Sequence, residues 1–214
     1  MPSHPHLYGN DGWDLVHLVR SLSTEEQRQR VQAKRQEIIA TRVRQLPTQP
    51  EDPVWESTPA VNAALLPLWW HDQRPETLTV RALHDGKEIA IQLEWKDVAG
   101  QSEIAPAQIL PASAAVQFAL SAKDQPFLVM GDNSEGGQVN IWMWEPGANG
   151  QQPASDLTAR GFGTLAALSQ DGVDLSANSR HEPNAYRVVF RRALKSKGNP
   201  RVTLEPGASL PVAF

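Results

Sequence analysis

Two runs of alternating apolar and polar residues, Thr77-Leu78-Thr79-Val80-Arg81-Ala82-Leu83 and Glu88-Ile89-Ala90-Ile91-Gln92-Leu93-Glu94-Trp95, flank the tetrapeptide His84-Asp85-Gly86-Lys87. Asp-Gly between period-two runs predicts a β-hairpin, because a tight turn needs positive φ and glycine supplies it without steric cost. Ile89, Ile91, Leu93 and Trp95 share one face. That face must be buried against another layer. Further strand-like runs fall at 114–120, 126–130, 138–144, 186–193 and 201–204, separated by clusters of Gly, Pro, Asn and Asp. Many short strands with no helical periodicity between them predict an antiparallel sandwich or barrel.

The first fifty residues follow another pattern. Leu15, Val16, Leu18 and Val19 sit at helical spacing, with Asn10 or Asp11 available as a cap. Ser23 and Glu26 make a capping-box pattern that opens a second predicted helix, running to about Leu46. Its apolar positions are only Val31, Ile38, Ile39, Val43 and Leu46, a stripe too thin for a buried helix, so it is predicted to be a connector on a surface. Pro47, Pro50 and Pro53 end it. Residues 146–155 are expected to form a polar loop.

Composition removes several classes of function. The 214 residues contain no cysteine, which excludes disulfides, thiolate metal sites, iron–sulfur ligation and covalent haem attachment. The formal net charge of -4 is spread along the chain, so the basic footprint of a nucleic-acid binder is missing and nucleic acid is not an expected partner. No run approaches the roughly 18 apolar residues of a membrane span, and Met1-Pro2-Ser3-His4 lacks the charged and apolar regions of a signal peptide. His4, His6, His17, His71, His84 and His181 make no pair at zinc-ligand helical spacing. His84 reads as a solvated turn residue and His181 as part of a loop. Arg160-Gly161-Phe162-Gly163 has the wrong glycine spacing for a dinucleotide site, and no nucleophile elbow or phosphate loop is present.

The most informative stretch runs from Pro126-Phe127-Leu128-Val129-Met130-Gly131-Asp132 to Val139-Asn140-Ile141-Trp142-Met143-Trp144. A strand ending at Met130, a turn through Gly131, Gly136 and Gly137, and a returning Trp-rich strand place a soft thioether near large aromatic rings. Methionine sulfur suits haem iron, and aromatic neighbours suit a porphyrin face. By packing alone, a methionine at a strand end is more often a core residue than a ligand.

The run from about residue 55 to 214 resembles the ethylbenzene dehydrogenase gamma-subunit family, the haem b subunits of periplasmic molybdenum enzymes of the dimethyl sulfoxide reductase type. Besides the Met130-Gly131-Asp132 and Trp142-Met143-Trp144 segments, the matching features are 78–83 with the His84-Asp85-Gly86-Lys87 turn, Leu93-Glu94-Trp95-Lys96-Asp97, Ala115-Val116-Gln117-Phe118, and Arg187-Val188-Val189-Phe190-Arg191-Arg192-Ala193-Leu194. The resemblance implies an immunoglobulin-like β-sandwich over residues 54–214 that holds one haem b, with Met130 as an axial iron ligand and Trp142 and Trp144 lining the pocket. It implies a lysine as second ligand, expected beyond Phe214; Lys195 and Lys197 lie in what reads as a solvated basic turn. The implied role is electron transfer without bond-making chemistry, in the periplasm, alongside a molybdenum-containing catalytic subunit and an iron–sulfur subunit. Residues 1–22, around Trp13-Asp14-Leu15-Val16-His17-Leu18, resemble the C-terminal end of a c-type cytochrome domain. This implies a cytochrome c-like remnant, with residues 23–53 as a helical linker and a c-type cytochrome as a further partner.

A rival expectation is a carbohydrate-binding-module-like sandwich without a cofactor. On that reading Trp69, Trp70, Trp142 and Trp144 would present aromatic surface to sugar.

Overall fold

The computed structural model describes residues 36–65, 75–96, 112–121, 131–133, 136–146, 154–169 and 175–214. The chain divides into two compact units, Met1–Glu37 and Ile38–Phe214. The second unit is a β-sandwich of two sheets. Its first sheet has the order β1 (Thr41–Arg42), β3 (Thr77–His84), β4 (Glu88–Lys96), β10 (Ala185–Ala193), β9 (Ser176–Glu182), with β2 (Val61–Ala64) on the same edge of β3 as β1. The other sheet has the order β11 (Val212–Ala213), β5 (Ala114–Ala119), β6 (Val139–Trp144), β7 (Ala154–Ala159), β8 (Ala166–Ala167). Among the described residues, every pairing is antiparallel except β1 with β3. No helix among them is long and apolar enough to cross a membrane.

The expected hairpin forms as the alternation dictates. Leu83 pairs with Ala90 and Leu78 with Trp95, so Leu78, Val80, Ala82, Ile89, Ile91 and Leu93 all turn inward, where they meet Val116, Phe118, Trp142 and Trp144 of the second sheet. Asp85 closes the turn. Its Oδ1 accepts the backbone N–H groups of Lys87 (2.7 Å) and Glu88 (2.8 Å), and Gly86 takes φ 95°. These two N–H groups, that of Glu88 first, hold the Asp85 carboxyl below the usual carboxylate range. A second glycine is required by close approach: a Cβ on Gly131, at φ 72°, would lie 2.2 Å from the Gly137 carbonyl oxygen. The Asp132 N–H donates to that same oxygen, closing the turn that leads into β6.

Four local expectations are corrected. The helix predicted to reach Leu46 does not extend there: residues 36–40 are irregular and Thr41–Arg42 is a strand. Tertiary contact overrides helix propensity here, because Leu46, with Trp55, packs on Leu83, Ala90 and Val189 across the outer face of the first sheet. Further polar anchors fix this strap, with Gln92 Nε2 donating to the Pro50 carbonyl (2.8 Å) and Asn178 Nδ2 to that of Thr48 (2.8 Å). The short helix predicted around Leu15–Val19 and residues 23–35 of the second lie outside the described residues, as does the run 126–130. Residues 201–204 are not a strand, although the Leu204 N–H donates to the Leu194 carbonyl. The loop expected over 146–155 gives way to β7 at Ala154, and β9 replaces the loop expected around His181.

One end of the sandwich is closed by a buried polar network. Asn140, fully buried, donates through Nδ2 to Asp156 Oδ1 (2.6 Å) and to the Leu157 carbonyl (2.9 Å). Its Oδ1 accepts from Trp142 Nε1 (3.3 Å), Arg192 Nη1 (3.3 Å) and the Val202 N–H (3.2 Å). Arg201 Nε meets the second Asp156 oxygen at 2.7 Å. The Arg192 guanidinium lies 4.6 Å over the Trp142 ring and also donates to the Val202 carbonyl. Burial pulls the Arg192 pKa down to about 10, against the attraction of Asp156 and with repulsion from Arg201. It therefore stays charged at neutral pH.

The buried and exposed polar anchors should differ in what their loss costs. Asp156→Ala leaves two guanidiniums without their buried counter-charge and should cost about 3–5 kcal/mol in urea unfolding. Asp85→Ala, at an exposed turn, should cost less than about 1 kcal/mol at pH 7. Because the folded pKa of Asp85 is depressed, its contribution is present above the unfolded value of about 3.9 and vanishes as pH falls through the folded one. Thermal melts of Asp85→Ala and the unsubstituted protein should therefore converge in acid.

Candidate functional site: an aromatic row at the mouth of the sandwich

The end opposite the polar network is aromatic. Trp95 near the end of β4 pairs with Tyr186 of β10, which pairs with His181 of β9. All three residues belong to the inward-facing set of their strands, since Trp95 follows Leu93 by two and Tyr186 precedes Val188 by two. Strands lie about 4.8 Å apart, and the rings stack at that interval. Tyr186 is 4.1 Å from His181 with 15° between planes, and 5.3 Å from Trp95 with 14°. From the facing sheet, Trp144 approaches edge-on, its centroid 6.2 Å from Trp95 and 6.1 Å from Tyr186.

Exposure increases along the row. Trp144 is 1% exposed, Trp95 and Tyr186 are half-buried, and His181 on the edge strand is exposed. Aromatic surface thus runs from the core to solvent at the end where Lys96, Glu145 and the 182–185 hairpin also emerge. On the outer face of the same sheet a charged ladder crosses the strands. Arg81 Nη1 meets Glu94 Oε2 at 3.0 Å, Arg187 Nε meets Glu94 Oε1 at 3.4 Å, and Arg187 Nη1 meets Glu182 Oε1 at 3.4 Å. Partly exposed pairs of this kind contribute little stability each but hold β10 and β9 in register beneath the row. Among the described residues, no group of three His, Asp or Glu side chains could hold a metal ion.

The residues singled out by sequence fall elsewhere. Met130 lies outside the described residues, as do Trp69, Trp70 and His71. Trp142 and Trp144 are brought together on one face of β6, but neither is a surface for a ligand plane. Trp142 is 0% exposed, with Phe118 at 4.5 Å between centroids and the Arg192 guanidinium over its ring. A side chain with no solvent-accessible surface borders no cavity of porphyrin size. Lys195 and Lys197 flank the turn after β10, lysines with no place in the core. Sequence reasoning missed Trp95, Tyr186 and His181 as a group. The signal available was the inward phase of Trp95; the register that aligns the other two with it was not readable locally.

No family model and no curated protein matches the chain. Among solved structures it is similar to a family 9 carbohydrate-binding module from Caldicellulosiruptor kristjanssonii in complex with glucose, at 12% identity and TM-score 0.44 over 76% of this chain and 71% of that one. It is also similar to a family 9 module from the same organism in complex with cellotriose, at 11% identity and TM-score 0.42 over 82% of each chain. The expectation of a haem b-binding, electron-transfer module is corrected on the packing: the two tryptophans assigned to the haem pocket are sealed in the core.

The row can be dissected without unfolding the protein. Full truncation of a buried aromatic costs about 3–5 kcal/mol; half-buried Trp95→Ala should cost about half of that, and exposed His181→Ala less than about 1 kcal/mol. Denaturant titration of the two variants checks the ranking, and an equal loss would contradict the exposure gradient.

Proposed function

We propose that this chain is a non-catalytic sugar-binding module whose ligand is a pyranose or a short oligosaccharide held at the mouth of the sandwich. The observation that carries the reading is the row His181–Tyr186–Trp95, three parallel rings that begin against a buried tryptophan and end exposed. A pyranose has apolar C–H patches and a polar rim. Aromatic side chains cover such patches, and they lose little conformational entropy because they have few torsions. The strands beneath the row are ion-paired, which holds their register. A fixed register lowers the entropic cost of assembling the row for binding.

Glucose and cellotriose, the ligands of the two similar modules, are the probes of choice. Isothermal titration should give saturable binding of at least one of them, weakened about tenfold or more by Trp95→Ala or Tyr186→Ala, each loss being about 1.4 kcal/mol or more. The Arg191 to Glu88 pair lies on the outer face at a strand end away from the row, so Arg191→Ala should leave the affinity unchanged. Equal affinity in the row variants would remove the row from the site.

A further inference from the structure

Trp142 and Trp144 stand on the same face of β6 and are equally buried, yet their indole N–H groups differ. Trp142 Nε1 donates to Asn140 Oδ1 at 3.3 Å. Trp144 Nε1 is buried and has no hydrogen-bond partner among the described residues. An unpaired buried donor costs about 1–3 kcal/mol, so such groups are rare and concentrate where a water, an ion or a ligand completes them. This one belongs to the residue at the inner end of the aromatic row, whose ring contacts Trp95 and Tyr186 at 6.2 and 6.1 Å between centroids.

Resting on the sugar-binding reading, we infer that Trp144 is a specificity-determining residue of that site, its indole N–H donating to a hydroxyl oxygen of the bound pyranose. The rings of the row would bind a sugar mainly by contact area, which fixes no single hydroxyl group in place. A single fixed donor in a desolvated position is not. It discriminates between ligands that place an oxygen on it and those that leave it unpaired, which is how one buried polar group yields selectivity. The donor has less than 1 Å² of accessible surface, so the ligand reaches it by displacing a ring edge. Trp95, half-buried and one residue from the end of β4, is the ring placed to give way. Trp144, inside the core and paired on both sides through β5 and β7, is not.

The test is two-dimensional NMR of the indole N–H signals of ¹⁵N-labelled protein during titration with glucose and with cellotriose. The Trp144 signal is identified by its loss in Trp144→Phe or, should that variant not fold, by sequential assignment of the unsubstituted chain. At saturation the Trp144 indole proton should move downfield and exchange more slowly with solvent, while the Trp142 proton, already bonded to Asn140, stays in place. Folded Trp144→Phe should bind roughly three- to tenfold more weakly. If backbone signals of the row move on titration and the Trp144 indole does not, the donor role is wrong and sugar binding stands. If the free protein shows the Trp144 proton in contact with a long-lived water, the donor is satisfied already and the inference fails. If no signal moves with either sugar, the sugar-binding reading falls and this inference with it.

Discussion

Asn140 holds the sandwich together at a point where hydrophobic burial alone would leave four polar side chains stranded. Its carboxamide uses both ends: the amide nitrogen engages Asp156 and the Leu157 carbonyl, and the oxygen gathers Trp142, Arg192 and the Val202 N–H. Arg192 belongs to the first sheet and Asp156 to the second, so the network crosses the interface between sheets and sets their separation at that end. A buried charged group is costly unless paired and hydrogen-bonded. Here each charge has both. Replacement of any member leaves the others buried without compensation, which makes this end the rigid one.

The rigidity at one end bears on the chemistry available at the other. With the polar network and the strap across Leu83, Ala90 and Val189 fixing the first sheet, the strands reach the opposite end in a determined register. That register puts Trp95, Tyr186 and His181 in line. A slip of one residue in β10 or β9 would turn a ring to the outer face among Arg81, Glu94 and Arg187, and the row would not exist. The aromatic mouth is therefore a property of strand pairing, not of any one loop.

How much of this was legible in the amino-acid sequence depends on the range of the forces involved. The β3–β4 hairpin was, because alternation and an Asp-Gly turn are local signals, and so were the strands around Val116, Trp142 and Val188. β9 was not: Ser-Ala-Asn-Ser-Arg-His-Glu has no apolar alternation, and it is a strand because β10 pairs with it along its length. The helix expected to run to Leu46 failed for the converse reason, a local propensity overruled by the docking of Leu46 and Trp55. The network of Arg192, Asn140 and Asp156 was not legible, since nothing local reveals that the partners of Asn140 lie 16 and 52 positions away. The haem expectation rested on a family resemblance that put Met130 and two tryptophans in its site. For the tryptophans, the period-two phase of β6 decides against an exposed pocket, since it points both rings between the sheets.

That same phase separates the two tryptophans in function. Trp142 sits at the polar end of the interface, where Asn140 is in reach of its N–H and Arg192 covers its face. Two residues along, Trp144 packs against the rings of Trp95 and Tyr186, and its indole N–H has no hydrogen-bond partner among the described residues. A core under selection for stability alone would place phenylalanine or leucine at such a position, because an apolar side chain there leaves no donor unpaired. An indole in that place is an uncompensated cost within the resting fold. Costs of this kind persist at sites where binding removes them, and the position of Trp144, at the inner end of the only aromatic row that reaches solvent among the described residues, is where an incoming hydroxyl would do so.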